Sequence, residues 1–283
     1  MGSIRVQHVS VEYPLEGRGM RRILNNIDLE IESGAFVSIV GQTGCGKSTL
    51  LRLILGEESP SAGQVLVDGK ERQQPGPYCG YVPQKYSLFP DKTVIDNIIF
   101  GLEASSDGSL TLLNPVRRNR RRTFREDGLR YLHHVGLHEA DARKYPHQLS
   151  GGMQQRVAIA QALILKPPVL LMDEAFSALD PGTRSGMQRL IKKLWRESGT
   201  TIVFVTHNTR EAVCLGTRVI ALAKDASGEH GSSVALDLSV PHLDFDSGEE
   251  DLRCLIREVE SAALPVPQDA LPPSEAKPAS VYN

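Results

Sequence analysis

The chain has 283 residues and a formal net charge of −2, with 40% hydrophobic and 23% charged residues. That length suits one large domain or one domain with an appendage, and the apolar content is enough for a buried core. A near-neutral balance argues against bulk nucleic-acid binding, and no uninterrupted apolar run approaches the roughly 18 residues of a membrane-spanning helix.

The first fourteen residues hold no apolar signal region, so the chain is expected to stay in the cytoplasm, with any membrane link made through a partner. Ile4, Val6, Val9, Val11 and Tyr13 read as strand, followed by a polar turn. Ile27, Leu29 and Ile31 then alternate at period two. Residues 35–40 form a short apolar run bounded by glycines, the pattern of a fully buried strand, and 49–55 read as a helix. Residues 64–67 and 79–82 are further strands. From 91 to 165 the pattern is mainly helical, with a polar interruption at 104–114. Residues 169–172 and 201–205 are buried strands flanking a helix over 181–197. Strands alternating with helices imply an α/β core with a mostly parallel sheet, and the early period-two strands imply an antiparallel β layer beside it. Residues 226–233 read as a polar loop. Residues 251–262 read as an amphipathic helix with Leu252, Leu255, Ile256 and Val259 on one face. Residues 264–283 are proline-rich and poor in large apolar groups, the composition of a disordered tail. Cys45, Cys79, Cys214 and Cys254 form no CxxC and no metal spacing, so reduced thiols are expected.

Gly41-Gln42-Thr43-Gly44-Cys45-Gly46-Lys47-Ser48 matches G-x-x-x-x-G-K-[ST] between a predicted strand and a predicted helix, the context of a phosphate-binding P-loop. Glycines let successive N–H groups converge on an anion, and the helix start adds its positive dipole end. Lys47 would neutralise β- and γ-phosphate charge, and Ser48 would ligate Mg²⁺. The apolar strand 169–172 runs into Asp173 and Glu174. An acid at the end of a parallel strand lies beside the P-loop crevice. Asp173 would support the metal, and Glu174 would act as general base. Capping of the next helix is the plainer reading of this acid pair.

Leu149-Ser150-Gly151-Gly152-Met153-Gln154-Gln155-Arg156 resembles the signature motif of the ABC ATPases. A Ser-Gly-Gly segment opening a helix is itself an anion site, and Ser150 also reads as a simple helix cap. In that family the signature of one subunit covers the ATP in the P-loop of another, so the resemblance implies a second ATPase subunit, a homodimer being expected. It implies further roles. Tyr13 stacks on adenine, and Gly41 through Thr49, with Ser150, Gly151, Gly152, Gln154 and Asp180, hold the nucleotide. Gln84 contacts Mg²⁺ or water. Ser177-Ala178-Leu179-Asp180 is the D-loop, and His207 is the switch histidine. A lone loop histidine is otherwise mere surface. The resemblance covers residues 4–224, with a helical subdomain over about 88–165, an appendage at 225–263 and the tail beyond. Tyr145-Pro146-His147-Gln148-Leu149-Ser150-Gly151-Gly152 and Met172-Asp173-Glu174-Ala175-Phe176 look most like bacterial importer ATPases, and within these are similar to the nitrate, sulfonate and taurine group. The implied partners are integral membrane permease subunits, which would hold this chain at the cytoplasmic face of the inner membrane, and an outer solute-binding protein. An exporter or lipid-trafficking ATPase shares every catalytic motif. A non-transport ABC ATPase usually carries two linked cassettes or a long coiled coil. Ala175 stands where these importers have proline, and Asn208 where an acid is common.

Arg117, Arg118, Arg120, Arg121, Arg122 and Arg125 form a basic cluster. A solvated helix face is its plainer reading, and an anionic lipid surface or RNA the sharper one. By the same resemblance Leu88, Phe89 and Ile98 belong to a groove that receives a coupling helix of the membrane subunit.

Overall fold

The computed structural model describes residues 2–15, 19–85, 88–105, 115–177, 179–225, 230–241 and 249–263, without the side chains of 115–119, 249 and 251. The loop expected at 104–114 falls largely outside the described residues, as do Ala178, the side chains of Arg117 and Arg118, and the tail.

Period-two alternation sets the first layer. Strands β1 (Ile4–Leu15) and β2 (Gly19–Ile31) pair antiparallel, burying Ile4, Val6, Val9 and Val11 against Leu24, Ile27 and Ile31. β3 (Phe36–Gly41) is buried throughout and leads into α1 (Lys47–Leu55), which starts two residues earlier than its pattern predicts because the P-loop lysine already opens it. β4 (Ala62–Val67) and the two-residue β5 (Lys70–Glu71) extend the antiparallel layer. β6 (Cys79–Val82) enters the other layer. The helical stretch then comprises α2 (Val94–Ser105), α3 (Pro115–His134), two 3-10 turns (Glu139–Arg143 and Pro146–Gln148) and α4 (Gly151–Leu163). β7 (Val169–Asp173), α5 (Pro181–Ser198), β8 (Thr201–Val205), α6 (Thr209–Leu215), β9 (Arg218–Lys224), β10 (Ser232–Ser239) and α7 (Glu249–Ala262) complete the order.

Among the described residues, ten strands join one sheet in the order β5-β4-β1-β2-β10-β9-β3-β8-β7-β6. Its half from β9 to β6 is parallel and its half from β5 to β2 antiparallel. β10 links the halves, pairing antiparallel with β9 and touching β2 through Ser232 and Leu24. The two layers are therefore continuous, which the sequence pattern does not foretell. Of the polar loop expected over 226–233, residues 226–229 lie outside the described residues, and Ser232 and Ser233 already belong to β10, where they pair with Lys224 and Ala223 ahead of the alternating Val234, Leu236 and Leu238. The stretch beyond 224 thus contributes a strand to the main sheet. α7 lies as expected, with Leu252 and Val259 buried against Val40, Ala212 and Val219.

α2 packs its buried Val94, Ile95, Ile98 and Ile99 into the helical core with Leu132, Val157 and Ile159. Ile98, expected on a docking groove, is therefore core, since it sits on the buried face of an amphipathic helix. Leu88 packs partly against the same core, and Phe89 and Phe100 face each other at 4.4 Å between centroids. Part of the arginine cluster is engaged locally. Arg121 pairs with Asp96 at 3.4 Å and Glu103 at 2.9 Å, and Arg125 reaches Asp96 at 3.4 Å. Among the described residues no helix is long and apolar enough to cross a membrane, and the four cysteines are free thiols.

Candidate nucleotide site

Parallel pairing of β3, β8, β7 and β6 puts their carboxyl ends at one edge of the sheet. From that edge emerge the P-loop after β3, His207 after β8, Asp173 and Glu174 at the end of β7, and Gln84 after β6. Except for the buried Asp173, they meet at a cleft of about 640 Å³ lined by Tyr13, Thr43, Gly44, Lys47, Ser48 and Thr49 together with Gln84, Glu174 and His207.

The P-loop needs its glycines. Gly41 has φ +154°, and a Cβ there would press on the Leu222 carbonyl and come 2.6 Å from Cys45 Sγ. Gly46, at φ +93°, leads into α1, whose buried Lys47 donates to the Gly41 carbonyl at 2.8 Å and the Gln42 carbonyl at 3.1 Å. The ammonium is thus held at the loop's own rim, where a phosphate oxygen can take over its donors. Burial pushes the Cys45 thiol up, against the opposing pull of Lys47.

Burial also pushes the Asp173 carboxyl up, opposed first by a hydrogen bond from Ser48 and reinforced by the Glu174 charge. Glu174 lies at φ +44°, a conformation costing about 1–3 kcal/mol for a non-glycine residue. Its N–H donates to the Val205 carbonyl at 2.9 Å, fixing the turn. The turn aims the carboxylate at the cleft, where Gln84 Nε2 donates to Oε2 at 2.9 Å and His207 Nδ1 lies 3.2 Å from the same oxygen. A carboxylate positioned by two polar partners at the mouth of a phosphate cradle is arranged to accept a proton from water.

Tyr13 sits at the outer wall, its hydroxyl donating to Glu58, which pairs with Arg52 at 3.2 Å. Burial and the Glu58 bond both push the Tyr13 phenol up. Arg21, Ile23 and Arg52 line the same end of the cleft and had not been singled out from sequence. Arg21 and Ile23 follow the β1–β2 turn, whose pairing with Tyr13 is the signal that would have found them.

The chain does not bring every expected residue to this cleft. Ser150 caps α4, accepting from Met153 N–H at 3.3 Å, and Asp180 caps α5, accepting from Thr183 N–H at 3.0 Å. That backbone donor holds the Asp180 carboxyl low. Neither residue lines the cleft, nor do Gly151, Gly152 and Gln154. Gly41 and Cys45 are buried beneath the loop and Gln42 is exposed, and none of the three lines the cleft. Gly152 is closely packed, since a Cβ there would meet the Thr183 methyl.

A family model described as ABC transporter matches residues 24–177. Over 238 residues the chain is 40% identical to the nitrate import ATP-binding protein NrtC of Synechococcus elongatus, covering 84% of this chain and 34% of that protein. It is also 40% identical over 260 residues to the aliphatic sulfonates import ATP-binding protein SsuB of Pseudomonas putida, covering 92% and 87%. The chain thus spans about a third of the first relative's length and most of the second's. Among solved structures it is similar to the dimeric post-hydrolysis state of the ATP-binding cassette MJ0796 bound to ADP and Pi. There the TM-score is 0.70 at 32% identity, over 84% of this chain and 99% of that one.

Proposed function

The chain belongs to the ABC transporter family, as an ATP-hydrolysing subunit, and from that premise we propose that it works in a pair whose closure on ATP drives a membrane permease importing a small anion. The observation that carries this reading is the shared Glu174 oxygen, held by Gln84 and His207 above the P-loop cleft. Lys47 and the P-loop N–H groups hold the β- and γ-phosphates, and Tyr13 flanks the base. Glu174 takes a proton from water as the water oxygen attacks the γ-phosphorus in line and the bond to the ADP oxygen breaks. His207 and Gln84 hold the carboxylate in place during that transfer.

The donor set suits Mg²⁺. Ser48, Asp173 and Gln84 offer a hydroxyl, a carboxylate and an amide oxygen, all hard ligands. Asp173 also bears a burial penalty on its charge that a cation would offset. When bound, the ion neutralises phosphate charge.

Two features support the paired arrangement. The Ser150–Gly152 turn and Asp180 stand away from their own chain's cleft, free to face another subunit's ATP, and the MJ0796 cassette is described as a dimer. On this reading residues 1–224 form the nucleotide-binding domain, with 88–165 as its helical subdomain, and 225–263 form an appendage stitched on by β10 and α7. The names of NrtC and SsuB, import ATP-binding proteins for nitrate and aliphatic sulfonates, support anion import; on this reading the chain sits at the cytoplasmic face of the inner membrane, held by permease subunits, with an outer solute-binding protein as a further partner.

Phosphate release tests the reading. Glu174→Gln should lower turnover by about 10²–10⁴-fold, as expected for loss of a general base, while ATP binding persists. Near-normal turnover in that variant would remove Glu174 from the role.

A further inference from the structure

α5 carries an arginine whose donors reach backward into the loop that precedes it. Arg184 Nε donates to the Phe176 carbonyl at 3.2 Å, and Nη2 donates to those of Ser177 at 3.3 Å and Leu179 at 3.1 Å. A guanidinium presents its donors in a rigid planar fork, so three carbonyls bound to one group hold Phe176, Ser177 and Leu179 relative to one another.

The same guanidinium faces Glu211 of α6, with Nε 3.8 Å from Oε1. Glu211 is buried and satisfied on both sides. Gln188 Nε2 donates to Oε1 at 3.0 Å, and the Thr206 hydroxyl donates to Oε2 at 2.9 Å. Thr206 immediately precedes His207, and its hydroxyl oxygen accepts from Asn208 N–H at 3.0 Å. Asn208 Oδ1 in turn accepts from Glu211 N–H at 3.1 Å, closing a ring of bonds around the base of the His207 loop. Glu211, Gln188 and Thr206 are all buried, so each bond replaces water that cannot enter.

We infer that Arg184 and Glu211 are positioning residues that join the segment carrying Ser177 to Asp180 with the loop carrying His207, so that the two move as one body. The consequence rests on the proposed function: a second subunit arriving at Ser177–Asp180 would set the angle at which His207 meets Glu174. Neither residue lines the cleft, and Glu211 acts on the His207 loop through the Thr206 hydroxyl and, through space, on His207 itself. Burial pushes the Glu211 carboxyl up and the Thr206 bond draws it back, so the arginine charge faces an acid that depends on its polar neighbours.

The link can be read without nucleotide. In the full chain, the ring resonances of His207 and the hydrogen exchange of the Ser177 and Leu179 amides are compared among wild type, Arg184→Met, Arg184→Lys and Glu211→Gln. Arg184→Met should speed amide exchange at Ser177 and Leu179 and also shift the His207 resonances, and Glu211→Gln should shift both from the other end. Lysine, lacking the fork, should not restore either. Amides that loosen while His207 is unmoved would overturn the inference. If Arg184→Met does not fold, Glu211→Gln decides by the same criterion. In steady-state hydrolysis the folded variants should lose about tenfold to a hundredfold in kcat, the scale of a small misplacement, with the ATP dissociation constant within about twofold. Coupled spectra with no ATPase in wild type would contradict the proposed function and leave the link standing. A changed kcat with His207 unmoved would contradict the link alone.

Discussion

His207 Nδ1 stands 3.2 Å from Glu174 Oε2, and Gln84 donates to that same oxygen at 2.9 Å. Three loops from three strand ends converge on one carboxylate oxygen, and the strained backbone of Glu174 is held for that purpose by Val205. The His207 side chain is 58% exposed and that of Glu174 21%, so the pair sits at the open mouth of the cleft, where a second subunit would exclude water.

Replacing His207 by alanine removes one partner of the proposed base, Glu174, and leaves the P-loop whole. Turnover is expected to fall by about 10²-fold, within the range of positioned proton-transfer groups, with nucleotide affinity little changed. Phosphate release and fluorescent-nucleotide titration, run in parallel, separate the two. A loss confined to affinity would show that His207 serves binding instead.

Lys47 behaves oppositely. Its ammonium already donates to the carbonyls of Gly41 and Gln42, so alanine there leaves two loop carbonyls without that donor and removes the cradle's charge. ATP affinity should drop by about tenfold to a hundredfold, the worth of a charge-assisted hydrogen bond. Isothermal titration measures it, and unchanged affinity would contradict the cradle.

At Gly41 a side chain is strained both by φ +154° and by the Leu222 carbonyl and Cys45 sulfur around it. Gly41→Ala should cost about 1–3 kcal/mol and lower the melting temperature by several degrees. A melting temperature equal to wild type would mean that the loop is softer than its geometry implies.

The thiols should react in a set order. Cys254 is exposed, Cys45 and Cys214 are buried, and burial pushes the Cys79 thiol up to about 12. Because the thiolate is the reacting form, an Ellman assay on native protein should modify Cys254 first, with Cys45, Cys79 and Cys214 following only on unfolding. Rapid modification of Cys45 in the native chain would contradict the packing beneath the P-loop.

Motif chemistry was legible in the sequence because its residues are local. Gly41 to Ser48 lie in one loop, and Asp173 and Glu174 are adjacent. Gln84 and His207 gained meaning only through the family resemblance, and the structure explains their place by the shared strand edge. Asn208, a departure from the importers' acid, supplies the same α6 cap through its side-chain oxygen, so the substitution keeps the helix start intact. β9 and β10 went unread. β9 is a short apolar run, which periodicity alone does not separate from a buried helix segment, and β10, though Val234, Leu236 and Leu238 alternate, follows a serine- and glycine-bearing stretch whose polarity hides its start. α6 has 7 residues, too few to show a helical period. Arg184 and Glu211 are far apart along the chain, and no spacing rule joins them; only the packing of α5 against the β8–α6 loop does.

Sedimentation velocity of the Glu174→Gln variant, with and without ATP and Mg²⁺, tests the shared-nucleotide arrangement most directly. A stable dimer should form only with both present, and Ser150→Arg, which would block the turn proposed to cover the other subunit's ATP, should abolish it. A nucleotide-saturated protein that stays monomeric, or a dimer indifferent to Ser150→Arg, would contradict the account.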